Sequence, residues 1–388
     1  MRSGWFPVIV FWSLLFAGCN VIKRSSADSK KPIEANINIS WDISTLKKVS
    51  SPGPVYCGYA RVTQLFDKSL LAVYEADGNT VCVKSTDLGS TWSAPVNIAL
   101  KSEGVSMAVP DLLELKDHSI LVCYNPRPGR NVVGKRFGIR TQKSYDGGKT
   151  WKDESTVYEA DFSFQNGCWE PSAIQLPSGE IQLFFANEGD YLNTNEQNIS
   201  LVRSTDNGLT WSKTREIASF RPGSRDGMPS PILLQNGKEI VFSIEDNGFK
   251  NFKPYIIRST VKNNWSMTVG ASGPDRNYAL AEPIADSIYA GAPYLRQLKT
   301  GQTILSYQGT EGRINKMNNA DMKVVIGDSN ARNFSHKSVP FVIAKNKSAL
   351  WSSLAVLSDN TIVALTSTSS YSSGNTEIWM IKGHVISE

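Results

Sequence analysis

The chain has 388 residues, 40% hydrophobic and 20% charged, with 10 Trp, 13 Tyr and 15 Phe. That is ample for a packed core and excludes a disordered chain. The net charge of +5, from 41 basic and 36 acidic residues, is scattered rather than clustered, which excludes nucleic acid as a partner.

The first element in chain order is a leader. Arg2 precedes an apolar stretch from Trp5 to Phe16, followed by Ala17, Gly18 and Cys19. The stretch is too short to span a bilayer and suits an export signal. LLFAGC resembles a bacterial lipobox, in which the cysteine is lipidated and becomes the mature N-terminus, although Phe16 replaces the usual aliphatic residue. An ordinary cleavable signal with an incidental cysteine is the alternative. Residues 1–18 are therefore expected as a lipoprotein signal peptide, 19–38 as a flexible polar tether and 39–388 as the folded domain. Loss of Arg2 leaves 40 basic against 36 acidic residues, a charge of +4. The implied location is a membrane-anchored lipoprotein, periplasmic or on the outer-membrane surface, with Cys19 carrying the lipid.

Four cysteines remain, Cys57, Cys82, Cys123 and Cys168, and the chain has only 3 His. No pair has metal-ligand spacing, so neither metal nor other cofactor is expected. The thiols read as buried, with room for one disulfide.

Three segments are nearly identical: STDLGSTW from Ser85, SYDGGKTW from Ser144 and STDNGLTW from Ser204. This is the Asp-box pattern. Asp87, Asp146 and Asp206 are expected as structural residues of hairpin turns, each carboxylate accepting from turn amides while the glycine supplies positive φ and the tryptophan packs on the sheet. RSTVKNNW from Arg258 to Trp265 and IGDSNARNF from Ile326 to Phe334 read as decayed copies. A second repeat, strand–turn–strand, centres on Leu65, Leu115, Leu176, Leu234, Leu298 and Leu357. Six such units of about four strands predict an all-β, six-bladed β-propeller that leaves no room for a second domain. The Asp-box turns then share a face with the inner hairpin turns, and the opposite face carries a funnel around the axis.

Aligning the six segments that lead into the inner strands places Arg61, Asp111, Glu170, Met228-Pro229, Tyr294 and Trp351 at the funnel, with Arg225 nearby. The segments leaving the second strands contribute Glu75, Asn125 with Arg127, Glu188, Glu245, Gln308 and Thr366. Carboxylates on either side of a scissile bond, accompanied by aromatic rings, suit glycoside hydrolysis. Glu170 and Glu245, from neighbouring blades, are the expected catalytic pair. The Trp169 and Pro171 flanks favour Glu170 as the acid/base, leaving Glu245 as nucleophile, with the reverse order also open. Arg61, Asp111, Trp169, Arg225, Tyr294 and Gln308 are expected to bind substrate. Arg61 and Asp111 could equally pair with each other, and Glu170 could be a strand-edge residue or a backbone cap.

These motifs carry a resemblance over nearly the whole mature chain. The Asp-boxes resemble those of the sialidase superfamily, whose members share a propeller but not one reaction. The finer pattern, YARVTQL, WEPS, GMPSPILLQNGKEIVFSIED, APYLRQLKTGQTILSYQ and WSSLAVL, is similar to the exo-α-1,5-L-arabinanase family. That resemblance implies a retaining exo-hydrolase that releases arabinobiose, with the family's glutamate pair matching Glu170 and Glu245. A sialidase would need three arginines clamping the substrate carboxylate, for which Arg61, Arg225 and Arg296 would have to serve, with Glu245 paired to Tyr294 and Asp111 as acid. A surface glycan-binding propeller without catalysis is the reading of another class, and a protein-interaction scaffold with an apolar-blocked funnel is a third. Expected partners are an oligosaccharide or polysaccharide substrate and, through the lipid, a membrane; a monomer is expected.

Overall fold

Each of the six repeat leucines heads a tight turn. The Leu65 amide donates to Ser69 O at 2.8 Å, and equivalent bonds of 2.8–2.9 Å recur at Leu115, Leu176, Leu234, Leu298 and Leu357. All six side chains are buried beneath the turns they start. The structure, a computed structural model, describes residues 37–387; Cys19, the signal peptide and the tether up to residue 36 lie outside the described residues.

The strands run in chain order from β1 (Ile37–Lys48). The first blade holds β2 (Cys57–Gln64), β3 (Leu70–Ala76), β4 (Asn79–Ser85) and β5 (Val96–Ala99), and the second holds β6 (Val105–Glu114), β7 (Ile120–Pro128), β8 (Gly138–Ser144) and β9 (Lys152–Glu159). The third contains β10 (Cys168–Gln175), β11 (Ile181–Asn187), β12 (Asn198–Ser204) and β13 (Glu216–Ser219). The fourth contains β14 (Asp226–Leu233), β15 (Glu239–Asp246), β16 (Lys253–Thr260) and β17 (Arg276–Tyr278). The fifth is β18 (Ala290–Gln297), β19 (Thr303–Gly309), β20 (Asp321–Gly327) and β21 (Ser335–Ser338). The sixth comprises β22 (Ala349–Val356), β23 (Ile362–Thr368) and β24 (Glu377–Ser387), with β1 as its outer strand. Every pairing within these six sheets is antiparallel, and the inner strands β2, β6, β10, β14, β18 and β22 pack in sequence around the axis, β22 returning to β2.

The sixth blade is not built from consecutive strands. β1 pairs with β24 from Ile37↔Ser387 to Lys48↔Trp379, covering an edge that would otherwise be open. The beginning of the folded domain thus completes its last blade.

The Asp-boxes have the hydrogen bonding that their pattern implies. Asp206 accepts from the Thr210 amide at 2.9 Å and from Ser204 Oγ at 2.8 Å, while Gly208 N donates to Ser204 Oγ. Asp87 and Asp146 repeat the set. These bonds hold the Asp206 carboxyl down at about 2, against the burial contribution, which raises it. Of the decayed copies, Asp328 still accepts from the amides of Asn330 and Arg332. The other copy, which lacks the aspartate, keeps a bond from the Trp265 amide to Ser259 Oγ. Ser85 pairs with Leu70 across β4 and β3, so the Asp-box turn lies at the same end of the blade as the Leu65 turn. The four described cysteines that follow Cys19 are buried and free.

Removal of Ile37–Lys48 should expose the β24 edge and the pocket of Ile39, lowering the thermal midpoint by roughly 10 °C or more. Scanning calorimetry of the truncated and intact chains measures this; an unchanged midpoint would mean that the closing strand adds nothing.

Candidate active site

The funnel is built from one local irregularity repeated six times. Each inner strand breaks register with its partner once, between Gly58/Arg61, Ala108/Asp111, Trp169/Ser172, Gly227/Ser230, Gly291/Tyr294 and Leu350/Ser353. One residue in each break is left-handed: Tyr59, Val109, Glu170, Met228, Ala292 and Trp351, with φ between 47° and 55°. The following residue is proline in four of the six breaks, at Pro110, Pro171, Pro229 and Pro293, where the interrupted ladder needs no donor. A bulge re-aims its side chain. Tyr59, Val109, Met228, Ala292 and Trp351 pack together as an apolar cluster, with the Tyr59 and Trp351 rings stacked at 4.6 Å. They form the floor of the funnel. Glu170 is the one ionisable side chain in this ring that bears a carboxylate.

The bulge register corrects the sequence alignment. Arg61, Asp111 and Tyr294 are not level with Glu170 but two residues further along their strands, beneath the floor, and are only 4–5% exposed. Asp111 accepts from Ser172 Oγ and, at 3.4 Å, from the Tyr294 hydroxyl, and the Arg61 guanidinium lies 4.6 Å over the Tyr294 ring. The space between this layer and the floor is about 10 Å³, far too small for a sugar. Arg61 and Asp111 form no ion pair; Arg61 donates instead to Ala60 O and Trp351 O. Gln308 is also internal, fully buried, with Oε1 accepting from Trp351 N at 2.9 Å and Nε2 donating to the Tyr289 hydroxyl at 2.6 Å. Trp169 is 7% exposed, one face covered by Arg127 at 4.9 Å. It has no open face for a sugar.

Above the floor is a cavity of about 340 Å³ lined by Arg127, Arg130, Phe164, Gln165, Trp169, Glu170, Glu188, Asn195, Gln197, Arg225 and Glu245. It brings together Glu170, Glu245 and Arg225. Arg127 and Glu188 come from the segments leaving the second strands, where the sequence placed them; Arg130, Phe164, Gln165, Asn195 and Gln197 were not expected, and they lie between the named strands, where spacing follows no repeat.

Glu170 Oε1 is 3.0 Å from Arg127 Nη2, and Arg127 Nε is in turn held by Asn125 Oδ1. Burial raises the Glu170 carboxyl, and Arg127 opposes the shift. The apolar flank inferred from Trp169 and Pro171 is therefore interrupted by a cation. Glu188 accepts from Trp169 Nε1 at 3.0 Å and pairs with Arg225; burial nevertheless carries its carboxyl up to about 7. Glu245 has a different setting. Its Oε2 accepts from the Ala292 amide at 2.8 Å, and it sits in a slot between two glycines. A Cβ on Gly227 would lie 3.1 Å from Glu245 Oε1, and one on Gly291 would lie 2.6 Å from Oε2 and from the Tyr289 hydroxyl. Burial pushes the Glu245 carboxyl up to about 7, helped by the negative charge of Glu170 and opposed by the Ala292 amide.

The three arginines nominated for a carboxylate clamp, Arg61, Arg225 and Arg296, are not assembled. Arg61 is beneath the floor, and Arg296 lines a depression with Gln64 and Glu114 at the other end of the inner strands. Only Arg225 of the three faces the cavity, and Tyr294 is bonded to Asp111 and Arg296 rather than to Glu245.

A carboxyl raised to about 7 favours the folded state while protonated and weakens it as pH rises through that value. Glu245→Gln retains an acceptor for the Ala292 amide but cannot ionise. It should leave stability unchanged near pH 4 and raise it by about 2 kcal/mol near pH 8.5. Denaturant titrations at the two pH values test this, and equal effects at both would contradict a proton-holding Glu245.

No known family profile matches the sequence, and no curated protein does. Solved structures do. An α-L-arabinofuranosidase of Fusarium graminearum, solved with arabinobiose, superposes with a TM-score of 0.65 at 19% identity, covering 88% of this chain and 96% of its own. An α-L-arabinanase of Penicillium chrysogenum, also with arabinobiose, gives 0.64 at 17% identity, covering 88% and 97%. The NanB sialidase of Streptococcus pneumoniae gives 0.59 at 11% identity, covering 87% of this chain and 70% of its own. The chain has the six-bladed propeller fold of these glycoside hydrolases.

Proposed function

We propose that the protein is a retaining, exo-acting glycoside hydrolase of the arabinanase kind, using Glu170 and Glu245. The observation that carries this reading is that two carboxylates from neighbouring blades, Glu170 and Glu245, line one cavity above a closed floor, with the charge of Glu170 among the causes that raise the Glu245 carboxyl. Retaining hydrolysis needs such a pair: one member ionised to attack the anomeric carbon, the other protonated to release the leaving oxygen. The Glu245 carboxyl, raised to about 7, can hold a proton, while Glu170 has the Arg127 guanidinium beside it. The closed floor suits cleavage from a chain end, because the substrate can leave only by the mouth. The motif resemblance and the two arabinobiose-bound neighbours point to arabinan chain ends as substrate.

Linear α-1,5-arabino-oligosaccharides should release arabinobiose, with the first-formed product retaining the anomeric configuration of the substrate, as read by NMR. Glu170→Gln and Glu245→Gln should each lower kcat by roughly 10³-fold or more with the fold intact. The variant that keeps activity on aryl glycosides with good leaving groups identifies the acid/base. Oligosaccharide binding without reducing-end release would replace the enzyme with a binding protein, and turnover of sialosides would overturn the substrate assignment. We also propose that Cys19 is lipidated in an exported protein. Cys19→Ser should then move the protein from the membrane fraction to the soluble fraction, whereas unchanged fractionation would exclude the anchor.

A further inference from the structure

The cavity does not end at its carboxylates. Phe164 is 44% exposed, while Trp169, the other aromatic ring of the cavity wall, is 7% exposed. The Phe164 ring is supported from behind by Trp169 at 5.0 Å and by Phe137 at 5.9 Å. The Arg130 guanidinium lies over one face of this ring, 4.9 Å from its centre, and Arg130 makes no ion pair among the described residues. The neighbouring Phe162, 46% exposed, has Arg136 in the same relation at 4.1 Å. The segment is held in shape: Ser163 caps the short 3-10 turn Phe164–Asn166, accepting from Gln165 N, and Asn166 Nδ2 donates to Tyr191 O at 3.2 Å.

We propose that Phe164 and Arg130 form an additional sugar-binding subsite at the cavity mouth, occupied by the part of a neutral oligosaccharide chain that lies on the leaving-group side of the scissile bond. This inference rests on the function proposed above. The exposed part of the ring beside the Arg130 guanidinium offers the apolar face of a sugar a contact surface, and a guanidinium without an acidic partner offers donors to its hydroxyls. Because the ring is already fixed by its aromatic neighbours and its capped turn, little ordering opposes binding. Arg127 and Arg225 are committed to Glu170 and Glu188, which leaves Arg130 as the cavity arginine free for hydroxyl contacts.

The test compares linear arabino-oligosaccharides of increasing length with the intact chain, Phe164→Ala, Phe164→Tyr and Arg130→Ala. In Phe164→Ala, the ratio of kcat/KM for a hexamer to that for a trimer should fall roughly tenfold, through KM rather than kcat, and Phe164→Tyr should restore it. Arg130→Ala should act in the same direction with a smaller effect. An equal loss on both lengths would assign Phe164 a structural role, and no loss on either would remove the subsite; either overturns the inference. If the intact chain hydrolyses nothing, the proposed function fails separately, and hexamer binding by calorimetry then carries the test. Binding weakened roughly tenfold in Phe164→Ala supports the subsite, while unchanged or absent binding overturns it.

Discussion

The structure depends on a break in hydrogen bonding at one point of every inner strand. In a regular ladder, side chains alternate between the two faces of a blade, and none is aimed along the axis. The left-handed residue in each bulge rotates one side chain per blade toward the centre, and the ring of six closes the funnel there. Such conformations are unfavourable for residues such as Val109, whose branched Cβ crowds the backbone, so surrounding packing has to maintain them. Part of that support crosses between blades. The Glu245 carboxylate caps the Ala292 amide of the next blade, and Gln308 does the same for Trp351. Glu245 is therefore both a fastener of the floor and one of the carboxylates that line the cavity.

Most of the architecture was legible in the sequence because it repeats. A turn that needs a leucine beneath it, or an aspartate over its amides, leaves the same letters every time, and six leucines and three full Asp-boxes were enough to count blades. β1 was not legible as part of the sixth blade, since Ile37–Lys48 carries no turn motif and its partner is at the other end of the chain. The layering beneath the funnel was misread for a different reason. Arg61, Asp111 and Tyr294 are two residues beyond the bulge, and a period of two returns a side chain to the same side but one level deeper. Glu170, Met228 and Trp351 were aligned correctly; the recurring X-Pro pairs mark the bulge itself and would have put Val109 and Ala292 in register with them as well.

Charge within the cavity divides unevenly. Glu170 is matched by Arg127 and Glu188 by Arg225, whereas Glu245 makes no ion pair and has a backbone amide and two glycines beside it, with Arg225 acting on it only at longer range. A desolvated carboxylate that no cation pairs with directly is relieved most easily by a proton, which is why its titration moves toward neutrality. Glycine at 227 and 291 follows from the same crowding, because a methyl group at either position would press on the carboxyl oxygens. Loops supply the rest of the wall, including Phe164 and Arg130, and loops answer to no blade repeat.

The pairing of β1 with β24 also bears on how the ring is assembled. The first strand of the domain to be synthesised is the last to find its partner, and bringing such distant ends together costs about 5 kcal/mol in chain entropy. Until they meet, each end presents an unsatisfied strand edge of complementary register. At high chain concentration, the β1 edge of one molecule can be met by the β24 edge of another, so crowded refolding would favour exchanged rings over closed ones.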